Sequence, residues 1–389
     1  MRAAELLRLA RTLYDDATER VEAEPSFPLL LDQALLAVEF SRALDEDFEP
    51  RRWLSRALGM LRSAGGTGPW LYRGAAQAGW TAIQVADFCG TEVAGLAPID
   101  EIALRWIVDY PETMDVDLPM GLLGLGVYGL AHPDAAAREK LTSGVLDVID
   151  RRAERDEDAL FFRVNDTEPR QREGSVGCRL LGMAHGAAGI VSYLASAALS
   201  DTGAAARARM LLDEAVAWLL RWRSDDFPHG AFPHRVETRY QPARPTWCSG
   251  DPGVALALSV AARATGSAEL TELVRAVAAK VVSQPPEHCR VLDGCICHGA
   301  AGMCWFGTRM HADFGVPGAA EFAAHWARHL DRERAAGPLR YFCPAGMMPN
   351  ASFLEGDAGA ALALLHAATG VPPRWEELLL ATPISPRNR

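Results

Sequence analysis

The amino-acid sequence predicts an all-α protein in which inner and outer helices form a double ring, and two observations carry that prediction. A Gly-x-x-Gly motif followed by an almost wholly apolar run recurs along the chain, and amphipathic segments stand between the runs. Recurrence on this scale signals an architecture assembled from stacked supersecondary units.

The copies can be taken in chain order. "LLDQALLAVEFSRAL" at Leu30 has lost both glycines, and "GAAQAGWTAIQVA" at Gly74 is a weak copy. Five good copies follow: "GLLGLGVYGLA" at Gly121, "GAAGIVSYLASAAL" at Gly186, "GDPGVALALSVAA" at Gly250, "GAAGMCWFG" at Gly299 and "GDAGAALALLHAA" at Gly356. Successive starts lie 44 to 65 residues apart, which leaves room for two helices and their loops. A run apolar on every side reads as a buried inner helix, whereas an amphipathic one reads as an outer helix. In "AARARMLLDEAVAWLLRWR", Leu211, Leu212, Ala215, Trp218, Leu219 and Trp222 recur at three- and four-residue steps, which makes an outer helix. Seven inner helices wrapped by outer ones can close on themselves, so that no terminal repeat is left uncapped. The whole chain, 1–389, then reads as one domain.

Glycine at a helix start lets backbones approach closely. No copy carries the Lys-Ser/Thr of a P-loop or follows a strand, so a phosphate cradle is not indicated. The longer intervals after Gly121 and Gly186 place rim loops near 152–182 and 224–247, with a short strand expected in "HRVETRYQ".

Composition narrows the function. Hydrophobic residues make up 49% and charged residues 23%, a globular balance, and no apolar run reaches the roughly 18 residues of a membrane span. The first residues alternate charge and apolar groups at helical spacing and lack a signal-peptide core, so a soluble cytoplasmic protein is expected. A net charge of −11 without a Lys/Arg cluster argues against nucleic acid as a partner. Eight cysteines in that compartment read as buried, metal-bound or catalytic. Cys89, Cys178 and Cys343 stand alone and read as core or incidental residues.

Three repeats carry a reactive group just before their glycines: His185 in "AHGAAG", Cys248 in "WCSGDPG", and Cys297 with His298 in "CICHGAAG". Equivalent positions in a repeat fall at one end of the ring. Cys248, Cys297 and His298 would make a Cys2His set, the three-ligand pattern that leaves a metal one open position, and two thiolates with an imidazole favour zinc. A closed structural zinc is the alternative, with Cys295 or the His288–Cys289 pair as fourth ligand. His185, placed like the ligands, reads as facing the metal. Asp117 and Arg244 each precede a repeat feature by four residues, and Asp115 competes with Asp117 as the carboxylate of interest.

The degenerate repeats, with "AHGAAG", "WCSG" and "CHGAAG" in that order, resemble the lanthionine synthetase C-like family over nearly the whole chain. Its stand-alone bacterial members, called LanC, cyclise class I lanthipeptides, and the high Ala and Arg usage looks bacterial. The resemblance implies an α/α toroid holding one zinc, with Cys248, Cys297 and His298 as ligands. It implies His185 as the catalytic histidine, Asp117 as its carboxylate and Arg244 as the arginine before the Trp-Cys pair. It implies a dehydrated precursor peptide as substrate, with a cognate dehydratase and an exporter as partners, at a membrane-associated complex. Ser249 departs from the aromatic residue that follows the first cysteine ligand in the best-known bacterial cyclases. Two other readings stand beside cyclisation. A relative of this family could add glutathione or another thiol to dehydrated residues, and a zinc-stabilised scaffold could bind a modified peptide without turnover.

Overall fold

The computed structural model describes residues 1–165, 176–227, 229–343 and 345–386. Fourteen α-helices run through the described residues. They are α1 (Ala3–Ala23), α2 (Phe27–Leu44), α3 (Pro50–Ala64), α4 (Ala75–Phe88), α5 (Ala97–Val108), α6 (Leu122–Ala131), α7 (Ala135–Arg152), α8 (Ala187–Ala198), α9 (Ala205–Leu220), α10 (Asp251–Thr265), α11 (Ala268–Val282), α12 (Ala300–Phe314), α13 (Ala319–Ala336) and α14 (Asp357–Thr369). All seven apolar runs are helices, and they are the even-numbered ones. None of the fourteen is long and apolar enough to cross a membrane.

The helices belong to two compact units. The first comprises Met1–Thr67, Gln84–Glu92 and Ala278–Trp375, and the second comprises Gly68–Ile83, Val93–Val277 and the residues from Glu376 onward. In the second unit every residue of α6 is buried, as are Ala188 to Ala197 of α8 and Asp251 to Ala262 of α10. By contrast α9 buries one stripe, Ala208, Leu211, Leu212, Ala215, Trp218 and Leu219, which packs on α8. Trp222 lies beyond the helix end and is half-buried.

The first unit is built in the same way, with α12 between α13 and α14 and with α2 packed on both α3 and α14. The last repeat has no α-helix after it among the described residues, and α1 takes the outer place, lying along α14 through a stripe that includes Leu6, Leu9, Leu13, Ala17 and Val21. The N-terminal helix is thus the outer partner of the last inner one.

Two small hairpins complete the described residues: β1 (Glu154–Asp156) with β2 (Ala159–Phe161), and β3 (Tyr341–Cys343) with β4 (Gly346–Met348). The strand expected in "HRVETRYQ" is a 3-10 turn at Val236–Thr238 instead. Its amides from Thr238, Arg239 and Gln241 bond to carbonyls three residues back, which uses the donors a strand would offer a neighbour, and only single bridges flank it. Of the rim loop expected at 152–182, residues 166–175 lie outside the described residues, as does Pro228 of the loop at 224–247; the described part of the former contains the β1–β2 hairpin.

The repeat glycines are explained by space. Gly250 is extended (φ −126°, ψ −172°), a conformation any residue adopts. A Cβ there would collide with the carbonyl oxygen of Arg244, and a Cβ at Gly253 would collide with that of Trp247 and lie 2.9 Å from Met183 Cβ. The inner helices α4, α6, α8, α10, α12 and α14 are each entered through such a tight glycine loop, whereas α2 starts from Ser26 without one. Gly253→Ala should lower stability by roughly 3 kcal/mol, because rigid backbone cannot yield. A urea-unfolding midpoint equal to that of the parent would count against this packing account.

Candidate functional site

His185 ends the loop before α8, and Asp117 lies in the loop before α6, both in the second unit. His185 Nδ1 is 2.6 Å from Asp117 Oδ2. The carboxylate can only accept, so Nδ1 carries the hydrogen, and Nε2 is the nitrogen that can pass a proton to a substrate. Asp117 is 2% exposed, whereas the His185 side chain is 31% exposed. A buried anion therefore backs an accessible imidazole.

The Asp117 loop is tied down at several points. Met120 N–H donates to Asp117 Oδ1 at 3.2 Å, and Leu118 N–H donates to the Ala184 carbonyl at 3.1 Å. Arg152, at the end of α7, donates to the carbonyls of Pro111, Glu112 and Met114 at 3.1, 2.7 and 2.7 Å. The carboxylate of Asp115 accepts instead from Asn165 N–H, at 2.7 Å. Of the two carboxylates that sequence reasoning left open, Asp117 is the one at the histidine. Beside His185 a small cavity is lined by Val116, Phe162, Val164, Leu180 and Trp218.

Cys248 belongs to the same unit. Ala184 N–H donates to the Cys248 carbonyl at 3.1 Å, and Gly182 packs so closely that a Cβ would strike Cys248 O and Ser249 Cα. The His185 and Cys248 loops thus lie side by side. Thr246 Oγ1 is 3.5 Å from Cys248 Sγ and 2.9 Å from Ser249 Oγ, so Ser249 helps shape the turn. Trp247 is buried, its indole N–H donating to Leu379 O at 3.0 Å. His234 lies near this turn: burial pushes its pKa down, opposed by a hydrogen bond with the Ser249 backbone. Arg244 is half-buried, and its guanidinium has no hydrogen bond or ion pair among the described residues.

Cys297 and His298 stand before α12 in the first unit, and Cys297 N–H donates to Leu354 O at 3.1 Å. Asp293, Cys295 and His298 offer ligand atoms within 4.8 Å of one another. Asp293, which sequence reasoning missed, accepts from Cys295 N–H and Phe342 N–H, each at 3.0 Å, and its Oδ2 lies 3.6 Å from His298 Nε2. Burial pushes the Asp293 pKa up, but the nearby His298 imidazole and the bonds from Phe342 N–H and Cys295 N–H outweigh it and hold the value at about 2. Burial pushes the Cys295 thiol up to about 11. His288 is exposed, and the Cys289 thiol, buried, points to Pro285 O at 3.7 Å. Cys178 Sγ lies 3.8 Å from the Arg235 guanidinium, Cys343 Sγ lies 3.1 Å from Gly346 O, and no two described cysteines form a disulfide.

Paired inner and outer helices, with six of the seven inner ones entered through a tight glycine loop, define the all-α toroid class of protein. The chain belongs to the lanthionine synthetase C-like protein family, which it matches over residues 49–380. Among solved structures it is similar to one named nisin cyclase, with a TM-score of 0.74 and 16% identity, covering 96% of this chain and 97% of that chain. No curated protein sequence matches it.

Proposed function

We propose that the chain is a zinc-dependent lanthipeptide cyclase, which joins peptide cysteine thiols to dehydroalanine or dehydrobutyrine in the same dehydrated precursor peptide. The observation that carries the reading is the His185–Asp117 pair, an imidazole held by a buried carboxylate at a repeat start, in a chain of a family named for lanthionine synthesis. The name of the similar structure, nisin cyclase, supports ring closure as the reaction.

Cys248, Cys297 and His298 are the residues that would hold the metal. Their chemistry fits, since two thiols and an imidazole suit zinc and leave it an open position. The carboxylate of Asp293 behind His298 also fits, as metal-binding imidazoles commonly bond to one. When bound, zinc supplies the Lewis acidity that keeps a thiol as thiolate near neutral pH.

The chain's own residues carry the rest. As the sulfur–carbon bond forms at the β-carbon, the alkene π pair moves toward the carbonyl and charge gathers on the enolate oxygen. Arg244, whose guanidinium has no protein partner among the described residues, stabilises that charge. His185 then gives its Nε2 proton to the α-carbon, while Asp117 holds Nδ1 and steadies the imidazolium that exists before transfer. The proton lost by the attacking thiol goes to solvent. The product is a thioether ring of unchanged mass.

Arg244→Ala should keep zinc and slow ring closure by on the order of 100-fold, about 3 kcal/mol, the usual effect of losing one contact to a developing oxyanion. A parent-like single-turnover rate would remove Arg244 from the mechanism. Offering excess glutathione beside the peptide tests the reaction class: rings should form without added mass. Glutathione adducts as the main product would favour external thiol addition instead.

A further inference from the structure

We propose that Asp293 is a positioning residue for the metal centre, fixing the ring of His298 so that Nδ1, not Nε2, is the nitrogen that binds zinc. The inference rests on the zinc reading above. Nothing in the sequence motif marks this aspartate, which lies five residues before the histidine in "DGCICH".

The geometry is that of a carboxylate committed on both oxygens. Oδ1 accepts from Cys295 N–H at 3.0 Å, and Gly299 packs against the same oxygen so tightly that a Cβ would collide with it. Oδ2 accepts from Phe342 N–H on β3 at 3.0 Å and lies 3.6 Å from His298 Nε2. Asp293 is 6% exposed, so water screens this contact little. Its main-chain carbonyl also accepts from Ala300 N–H at 2.9 Å, in the first turn of α12. One residue therefore joins the hairpin, the ligand loop and the first turn of the helix. A carboxylate in this place favours the tautomer with hydrogen on Nε2, which puts the lone pair on Nδ1 and raises the basicity of that nitrogen.

A purely structural knot would give the same hydrogen bonds, so the test must read the metal. Asp293→Asn keeps an oxygen able to accept from Cys295 N–H and removes the charge beside His298. Zinc affinity, read by competition with a chromogenic chelator, should fall roughly 10- to 100-fold. Tyr341→Phe is the control for the same hairpin, because it loses only the 2.7 Å bond from Tyr341 Oη to Asp357. It should lower the melting temperature and leave zinc affinity at the parent value. A parent-like affinity in Asp293→Asn would overturn the inference and leave the zinc reading intact, whereas a parent that binds no zinc would overturn both. The parent also carries the test if the variant does not fold. Long-range proton–nitrogen spectra of zinc-loaded chain labelled at histidine should place the His298 hydrogen on Nε2, and a hydrogen on Nδ1 would overturn the inference.

Discussion

His185→Ala is expected to slow ring closure by roughly two to four orders of magnitude while retaining the parent's zinc content, because a positioned proton donor is worth about that much. The expectation follows from the division of labour proposed above. His185 Nδ1 is bound to a buried carboxylate at 2.6 Å, which suits an acid/base group and leaves that nitrogen no part in metal binding. Single-turnover assays on a dehydrated peptide, with free thiols counted by alkylation and mass spectrometry, give the rate. An enzyme-free control sets the background, since thiols add to dehydroamino acids without help. Asp117→Asn should fall between parent and His185→Ala, because an amide still meets Nδ1 but no longer selects its tautomer. Closure at the parent rate in His185→Ala would make its place at the start of α8 structural, and His234 beside the Cys248 turn would be the next donor to test.

Loss of a metal ligand should do still more. Cys248→Ala and Cys297→Ala are each expected to lose most of the zinc and nearly all ring closure above background. A thiolate removed from a three-ligand set leaves two donors, too few for a site of this type. Both variants should stay helical, because the inner helices bury apolar residues along most of their length independently of any ion. Elemental analysis and circular dichroism on the same samples check the two halves of the claim together. Full zinc retention in both variants would remove the ligand assignment.

Much of this was legible because the repeat leaves a physical trace in the sequence. A helix buried on every side must be apolar all round, and a loop folded onto its first turn must have glycine where a Cβ would strike its own carbonyls. Both demands marked six of the inner helices, and the apolar demand alone marked α2, whose copy had lost its glycines. The role of α1 beside α14 left no trace, because its amphipathic pattern says that one face is covered but not by what. Strands of three residues, as in β1 to β4, are too short to show alternation. Val236, Thr238 and Tyr240 have strand propensity, yet successive three-residue turns win locally.

At the site, residue types and spacing singled out His185, Cys248, Cys297 and His298. What remained hidden were choices made across long separations. Asp117 meets His185 from 68 residues away, and Asp115 turns to Asn165, 50 residues on, a difference no local pattern encodes. Asp293 was hidden for another reason: its two oxygens bond to backbone amides and one of them lies near His298 Nε2, and backbone partners carry no sequence signature.

Intramolecular thioether formation by this chain can be read from the thiol content and mass of a single peptide. A dehydrated peptide bearing one cysteine and one dehydroalanine is incubated with zinc-loaded protein, then alkylated and weighed. The alkylatable thiol should disappear at a rate far above the enzyme-free control while the peptide mass stays constant. A thiol that persists at the control rate, in the presence of stoichiometric bound zinc, would contradict ring closure by this chain.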